Sequence, residues 1–231
     1  MEFRNHNVRL PDGSETIPGK PLLSDTSVCR AAAAVFDAFH CRSVLDLGCN
    51  EGGHSAAFAR DWRAVLGVEI RDCNLQRCRY LQAAGIPAQF ERRSVWDITP
   101  TGSGRFDGVF CGGLLYHLET PRAFIRQLFE LTQTVAIVDT HFADVALHPV
   151  FRLSDMTENE GLPGRWYREF DDDSFQQREA HPLASWENQR SFWILQPALV
   201  AEFEAVGFRS VLKLPDEQAR GNHRGLFVLI K

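Results

Sequence analysis

A short apolar run that breaks into a glycine-rich turn and then into a helix is the feature that most restricts how this chain can fold. Residues 43–53 read Ser-Val-Leu-Asp-Leu-Gly-Cys-Asn-Glu-Gly-Gly, and a helical segment follows over 54–60. The apolar run predicts a buried strand. A strand, turn and helix in this order place free backbone N–H groups at a helix N-terminus, and glycine lets a ligand come close because it carries no Cβ. The turn is therefore a predicted cofactor site.

Two acidic residues indicate the charge of that cofactor. Asp46 stands at the end of the first strand, and Glu69 ends the next apolar run, 64–68. A carboxylate at Asp46 would repel a pyrophosphate but would suit a ligand with ammonium and sulfonium charges. Glu69 follows the turn by about 20 residues, the distance at which an acidic side chain binds a ribose diol. Asn50 replaces the middle glycine of dinucleotide sites, and Asn tolerates a left-handed backbone.

These features resemble motif I and the acidic loop of class I S-adenosylmethionine (SAM)-dependent methyltransferases. Residues 105–111, Arg-Phe-Asp-Gly-Val-Phe-Cys, are similar to the family's strand-four motif, and residues 113–118 to the loop after it. The resemblance covers residues 40–140 and, in outline, roughly the last 40 residues. It implies an α/β fold: a three-layer, Rossmann-like, mostly parallel sheet of seven strands, with the last strand antiparallel and a cap inserted after strand five. It also implies SAM as the cofactor.

The cofactor contacts that the resemblance implies lie at the carboxyl ends of the first, second and fourth strands and after the third. They are Asp46, Gly48, Cys49, Asn50, Gly52, Glu69, Ile70, Val95, Trp96, Asp97 and Cys111. Asp97 is expected to accept a hydrogen bond from the adenine amino group, with Val95 or Trp96 packed on the adenine ring. Plain core packing is the alternative role for Trp96.

One domain, 1–231, is predicted. Residues 1–24 form an N-terminal arm or a flap over the cofactor, and 25–140 form the cofactor-binding core. Residues 141–194 form a substrate cap, and 195–231 a C-terminal helix and hairpin. The cap is long and lacks helical periodicity, which is typical of functional insertions, and it is too aromatic for disorder.

Capping residues and helical periodicity predict a first helix, capped by Asp25, Thr26 or Ser27, that runs to about residue 39. Further helices are predicted to begin at Asp72 as a cap, at Thr120–Pro121 and at Gln196–Pro197. Apolar runs between them predict parallel strands. Two final strands, Phe208–Leu214 and Gly225–Ile230, are expected to form a hairpin at the sheet edge around a turn at Gly221 and Asn222.

Catalytic candidates follow from the same topology. Ligands of open α/β sheets bind where the strand order reverses, so the loop after strand four should face the methyl group. A base removes the proton of a hydroxyl acceptor, and His117 and His141 are candidates because histidine titrates near neutral pH. Tyr116 is the third candidate. A structural role is the alternative for both histidines. Asp139, His141 and Asp144 could ligate a divalent cation, but acids at strand ends are common in this fold, and no metal is predicted.

Composition limits the partners. A net charge of −5 over 231 residues argues against nucleic acid, whose binding proteins usually carry a basic face. Six cysteines without a C-x-x-C pair predict a cytoplasmic protein without a disulfide or zinc framework, and no apolar stretch is long enough for a membrane span. A small, partly apolar acceptor, methylated at oxygen with the help of a histidine, is favoured. A monomer or homodimer is expected.

Two other functions stay open. Leu10-Pro11-Asp12-Gly13, followed by Thr16 and Gly19, resembles the lead-in of tRNA uridine carboxymethyltransferases, so an RNA-modifying transferase is one alternative. A non-catalytic cofactor-binding subunit that acts through a partner is the other. A basic surface beside the crevice would favour the first, and an apolar surface at the acceptor entrance the second. Several aromatic and polar residues are weighed as acceptor contacts or as packing: Tyr116, Trp166, Tyr167, Trp186, Glu187 and Asn188.

Overall fold

The computed structural model describes residues 1–146, 148, 150–171, 178, 181, 183–215 and 223–231. Its helices are α1 (Ser27–Ala38), α2 (Gly53–Phe58), α3 (Asp72–Ala83), α4 (Pro100–Ser103), α5 (Pro121–Leu131) and α6 (Gln196–Ala205). Its strands are β1 (Ser43–Leu47), β2 (Ala64–Glu69), β3 (Gln89–Arg92), β4 (Phe106–Gly112), β5 (Thr132–His141), β6 (Thr157–Asn159), β7 (Leu162–Arg168), β8 (Arg190–Ile194), β9 (Ser210–Leu214) and β10 (Arg224–Ile230). The predicted turn at Gly221 and Asn222 lies outside the described residues.

A seven-stranded sheet has the order β3-β2-β1-β4-β5-β10-β9. Strand β1 pairs in parallel with β2 and β4, and β2 with β3. Strands β9 and β10 are antiparallel and form the predicted closing hairpin at the edge. The predicted fold class is therefore confirmed. The order reverses at β1, so the carboxyl ends of β1 and β4 flank the switch point where ligands of such sheets bind.

The chain divides into two compact units, one of residues 1–112 and 130–137 and the other of residues 113–129 and 138–231. The division passes through β5. The single-domain organisation stays a prediction.

In the first unit, α1 packs an apolar face against the sheet because its buried residues recur at helical spacing. The helix begins where the Thr26 side chain accepts a hydrogen bond from the backbone N–H of Cys29. The Phe36 ring lies against β4 at Gly108, where a Cβ would come within 2.6 Å of it. Only glycine therefore permits this close helix–strand packing.

Helix α3 turns Leu75, Cys78 and Leu81 inward, as predicted. Its N-cap is Arg71, so the prediction of Asp72 as the cap was wrong: Asp72 lies in the first turn. There the Asp72 carboxylate pairs instead with Arg92 at 3.0 Å, and an acid in a first helical turn is favourable toward the helix dipole.

The N-terminal segment belongs to the core of the first unit. Phe3, Val8 and Leu10 are buried together with Leu81 of α3. Each buried side chain of this size contributes roughly 1.5–3 kcal/mol. The segment is therefore held to the unit by apolar packing.

The second unit contains a three-stranded antiparallel sheet of order β6-β7-β8. It lies in the predicted cap, whose sequence shows no regular pattern. Across β7 and β8, Trp166 is opposite Phe192 and Arg168 is opposite Arg190. One face of this sheet therefore carries both apolar and charged residues. Within the described residues, no helix has both the length and the apolar character needed to cross a membrane.

Candidate functional site

The glycine turn after β1 has a left-handed backbone at three alternate positions. The φ angles are 69° at Gly48, 52° at Asn50 and 79° at Gly52. A Cβ at Gly52 would also lie 2.9 Å from the Phe90 ring. Asn50 is thus the one non-glycine residue among the three, and it adopts the conformation that asparagine tolerates better than most residues. The backbone N–H of Cys49 donates to Val68 O at 2.9 Å and ties the turn to β2.

Two buried carboxylates flank this turn. Ser55 Oγ donates to Asp46 Oδ2 at 2.6 Å, and burial, aided by the nearby Glu69 charge, raises the pKa of Asp46 to about 7. The backbone N–H of Arg71 donates to Glu69 Oε1 at 2.8 Å, and Asn74 Nδ2 to Oε2 at 3.3 Å. Burial also raises the pKa of Glu69. A cationic ligand beside them would favour their ionised forms.

The Asn50 side chain adds a hydrogen-bond acceptor to this turn. Its Oδ1 is buried and has no hydrogen-bond partner among the described residues. Buried polar atoms are nearly always paired, so a ligand N–H or O–H group is a fitting partner. The Asn50 carbonyl accepts from Cys78 Sγ at 3.1 Å, and Cys78 Sγ lies 3.9 Å from Cys49 Sγ. Both thiols are free.

The other predicted cofactor residues lie in the same unit. Val95 and Cys111 are buried, Ile70 and Trp96 are half-buried, and Asp97 is exposed. An exposed carboxylate at Asp97 is available to an adenine amino group, as the resemblance implies. Trp96 retains both of its predicted roles, packing and ring contact.

The N-terminal arm is attached to this turn through Glu51. The buried Glu51 carboxylate accepts hydrogen bonds from the backbone N–H groups of Arg4, Asn5 and His6 at 3.0, 2.8 and 2.8 Å. Arg77 Nε lies 3.2 Å from the same carboxylate. The Glu51 side chain therefore anchors the first residues of the arm to the glycine turn. Sequence reasoning did not identify this role of Glu51.

His6 makes the second attachment. Its Nδ1 accepts a hydrogen bond at 3.0 Å from the backbone N–H of Gly53, the first residue of α2, so Nδ1 carries no proton. Burial, together with the charge of Lys20, lowers the pKa of His6 to about 4. The ring is therefore a neutral acceptor at physiological pH.

Replacing Glu51 by alanine is expected to lower the free energy of unfolding by about 3–5 kcal/mol, because it leaves Arg77 and three backbone donors without their carboxylate. Urea unfolding measures this. Glu91→Ala is the matched control, since Glu91 forms a more exposed pair with Arg93 at 3.4 Å and should cost under about 1 kcal/mol. Equal losses in the two variants would contradict the role of Glu51.

The second unit contains a histidine–carboxylate pair. His117 Nδ1 lies 2.9 Å from Glu169 Oε1. Glu169 also accepts from Ser191 Oγ at 2.6 Å and from the backbone N–H of Ser185 at 3.1 Å, and its side chain is buried. Because an ionised carboxylate only accepts, Nδ1 carries the proton. Nε2 then presents its lone pair, and it has no hydrogen bond to the described residues.

His141 lies in a different network. Arg224 Nη1 lies 3.3 Å from His141 Nε2, and His141 Nδ1 lies 3.2 Å from His223 O. A guanidinium only donates and a carbonyl only accepts, so both ring nitrogens are occupied. Burial and the Arg224 charge lower the pKa of His141 to about 4. Its ring stacks on Trp193 with centroids 4.9 Å apart.

Tyr116 connects the two histidines. Its ring centroid lies 4.2 Å from that of His117 and 4.7 Å from that of His141. Burial raises the pKa of Tyr116, whereas the nearby Arg224 charge lowers it. The three predicted catalytic side chains are therefore neighbours in this unit.

The second unit also shows what the sequence did not reveal. Glu169 is 52 residues from His117, and Arg224 is 85 residues from Asp139, which it binds through Nη2 at 2.7 Å. No local pattern links such pairs. The Asp144 carboxylate accepts from the backbone of Val145. Among the described residues, no cluster of metal-ligating side chains is found.

Comparison with known proteins finds similarity over part of the chain. Residues 44–134 match the family model described as a methyltransferase domain. A tRNA U34 carboxymethyltransferase of Desulforapulum autotrophicum is 34% identical over 94 residues, 40% of this chain and 29% of that protein. A ubiquinone biosynthesis O-methyltransferase of Pseudomonas paraeruginosa is 28% identical over 93 residues, 40% of each chain. The match thus spans less than half the length of these relatives.

Solved structures share the fold over most of the chain. The N-terminal domain of EvdMO1, crystallised with SAH and D-fucose, gives a TM-score of 0.68 at 23% identity and covers 95% of this chain and 87% of that chain. Magnesium protoporphyrin IX methyltransferase of Synechocystis, with bound SAH, gives 0.55 at 17% identity and covers 88% and 81%. At these identities the likeness concerns the fold alone.

Proposed function

We propose that this chain is a methyltransferase of the class I fold that transfers a methyl group from SAM to the oxygen of a small-molecule acceptor. The observation that carries the oxygen chemistry is the hydrogen-bonded pair of His117 and Glu169. A base with an orienting carboxylate is the arrangement that removes a hydroxyl proton.

The first unit has hydrogen-bond acceptors and negative charges that suit SAM. Asp46 supplies a carboxylate for its cationic end, and Glu69 supplies one for its ribose hydroxyls. Asn50 Oδ1 is a buried acceptor without a protein partner among the described residues, and the left-handed turn brings backbone close to a ligand. Bound SAM would supply a methyl carbon activated by its sulfonium. The residues of the first unit would bind and orient that group.

The second unit supplies the acceptor chemistry in this proposal. His117 Nε2 accepts the hydroxyl proton, and the Glu169 carboxylate holds the ring and stabilises the imidazolium that forms. The acceptor oxygen then gains the methyl group, and the proton leaves through His117. His141 is the less suitable base because Arg224 and His223 occupy its two nitrogens. We assign it and Tyr116 to positioning.

The named relatives support two acceptor classes. A ubiquinone biosynthesis O-methyltransferase acts at oxygen by its name, which agrees with the histidine–carboxylate pair. The tRNA U34 carboxymethyltransferase favours RNA as the second candidate, because residues 10–19 also resemble that branch. The net charge of −5 favours the small molecule. A non-catalytic subunit stays the third alternative, and a monomer or homodimer stays the expected oligomeric state.

Transfer of tritium from methyl-labelled SAM tests the proposal. The purified protein is incubated with a panel of phenols, catechols and alcohols and, separately, with bulk tRNA. Label in a small molecule, lost in the His117→Ala variant, is the expected result. Label in tRNA alone would overturn the small-molecule assignment, and label in neither, with SAM bound, would favour the non-catalytic subunit.

A further inference from the structure

A groove of about 510 Å³ lies on the three-stranded sheet of the second unit. Three arginines line it, Arg152, Arg168 and Arg190, together with Trp166. Among the described residues, none of those that line the groove is acidic. A groove of this size suits a small molecule, and its charge is opposite to the net charge of −5 on the whole chain.

The three arginines form a row across the sheet. Arg168 is directly opposite Arg190 in the ladder between β7 and β8. On the other side of β7, Leu153 and Tyr167 form an antiparallel bridge, which places Arg152 opposite Arg168. Directly opposed side chains lie on one face, and like charges so placed are destabilising. A bound anion would remove that repulsion.

The protein contacts of these side chains leave donors for a ligand. Arg190 uses Nε for Glu119 at 3.1 Å, and its guanidinium stacks 4.0 Å from the centre of the Trp166 ring. Arg168 donates to Phe170 O through Nε at 3.0 Å and to Asp171 O through Nη2 at 2.6 Å, and the exposed Asp171 carboxylate lies 3.9 Å from its Nε. Arg152 makes no hydrogen bond or ion pair with any residue in the described part of the chain. A guanidinium has five donors, so the row has donors for several anionic oxygens.

The arginine row occupies one face of β7. Successive side chains of a strand point to opposite faces, so Arg168 and Trp166 lie on the face opposite to Tyr167. The Tyr167 ring packs 5.5 Å from Trp193, which stacks on His141. The arginine side chains thus lie on the face of β7 opposite to the Tyr167 side chain, although Tyr167 also borders the groove.

We propose that the arginine row is a second binding site, for a phosphate monoester attached to a planar ring. Arginines bind phosphate through paired N–H donors, and a phosphate monoester carries about −1.5 to −2 charges at pH 7. Two of the three arginines have an exposed carboxylate neighbour: Asp171 lies near Arg168, and Glu119 near Arg190. The positive charge that remains matches a phosphate monoester better than a ligand with one carboxylate. Trp166 offers an aromatic surface for the ring. The site is independent of methyl transfer.

Calorimetric titration with uridine monophosphate tests this proposal, and uridine serves as the uncharged comparison ligand. Uridine monophosphate is expected to bind, with uridine at least about tenfold weaker, and Arg168→Ala to weaken the nucleotide by about tenfold or more. Arg209→Ala is the matched control, since Arg209 is an exposed arginine elsewhere in the second unit and should leave affinity unchanged.

Two results would overturn the site. Equal loss in the Arg168 and Arg209 variants would show that only general charge matters. Binding of tRNA that depends on Arg168, with no binding of uridine monophosphate, would assign the row to RNA. A thermal-shift measurement without ligand tests the row itself. Arg152→Gln removes like-charge repulsion and breaks no hydrogen bond to the described residues, so it should preserve or raise the melting temperature. A large decrease would contradict the opposed row.

Discussion

Replacing His117 by alanine is expected to lower kcat by about 10²–10⁴-fold, the contribution of a positioned general base. The expectation rests on its Nδ1 contact with Glu169 at 2.9 Å, which leaves Nε2 as the proton acceptor. SAM affinity should stay within a few-fold, because His117 is not among the predicted cofactor residues. Steady-state kinetics and calorimetry on the same preparation measure the two effects.

Two further variants separate catalysis from structure. Glu169→Gln should lower kcat by a smaller factor and change its pH dependence, because an amide neither fixes the imidazole tautomer by charge nor stabilises an imidazolium. His141→Phe should lower the melting temperature, since the Arg224 and His223 contacts are lost, while keeping the wild-type shape of the pH profile. If His141→Phe abolished the pH dependence and His117→Ala left it intact, the two roles would be reversed.

Replacing Asp46 by asparagine is expected to stabilise the free protein at alkaline pH and to weaken SAM binding. Burial raises the pKa of Asp46 from 3.8 to about 7, so between these values the folded state binds more protons than the unfolded state. Stability therefore decreases as pH rises from about 4 to 7, by about 4 kcal/mol if the whole shift is expressed. Asparagine removes this dependence, so the variant should be the more stable protein at pH 8.

The affinity effect has the opposite sign. Only ionised Asp46 attracts a cationic cofactor, so SAM affinity of the wild type should rise with pH through about 7. Asp46→Asn should lose at least about 30-fold in affinity at pH 8, in the range for loss of one partner of a buried charge pair. Urea unfolding and SAM titration at pH 5 and 8 test both statements. Asp61→Asn is the control, because it removes the same charge at an exposed position. If stability and SAM affinity depended on pH identically in the two variants, the role of Asp46 would be contradicted.

The parts of the fold that the sequence predicted correctly depend on local signals. The run ending at Leu47 and the turn at Gly48 each involve a few neighbouring residues. Asn50 shows the same: its tolerance of positive φ is intrinsic, and φ is 52°. The seven-stranded sheet follows from such units because parallel strands and crossover helices combine in few ways.

The features that the sequence could not predict depend on distant residues. Glu51 binds backbone 45 to 47 residues away, and Glu169 binds a histidine 52 residues away. Arginines at opposed positions of β7 and β8 obscure the alternation that marks a strand, so the small sheet in the cap had no recognisable pattern. Such pairings are set by tertiary structure, which outweighs local preference.

Calorimetric titration of the purified protein with SAM and with SAH tests the central claim most directly. The claim is that the turn after β1, with Asp46 and Glu69, forms a SAM site. Binding of either ligand in the micromolar range by the wild type, strongly weakened in Asp46→Asn and unchanged in His117→Ala, is the predicted result. Absence of binding of both ligands, by protein that circular dichroism shows to be folded, would contradict it.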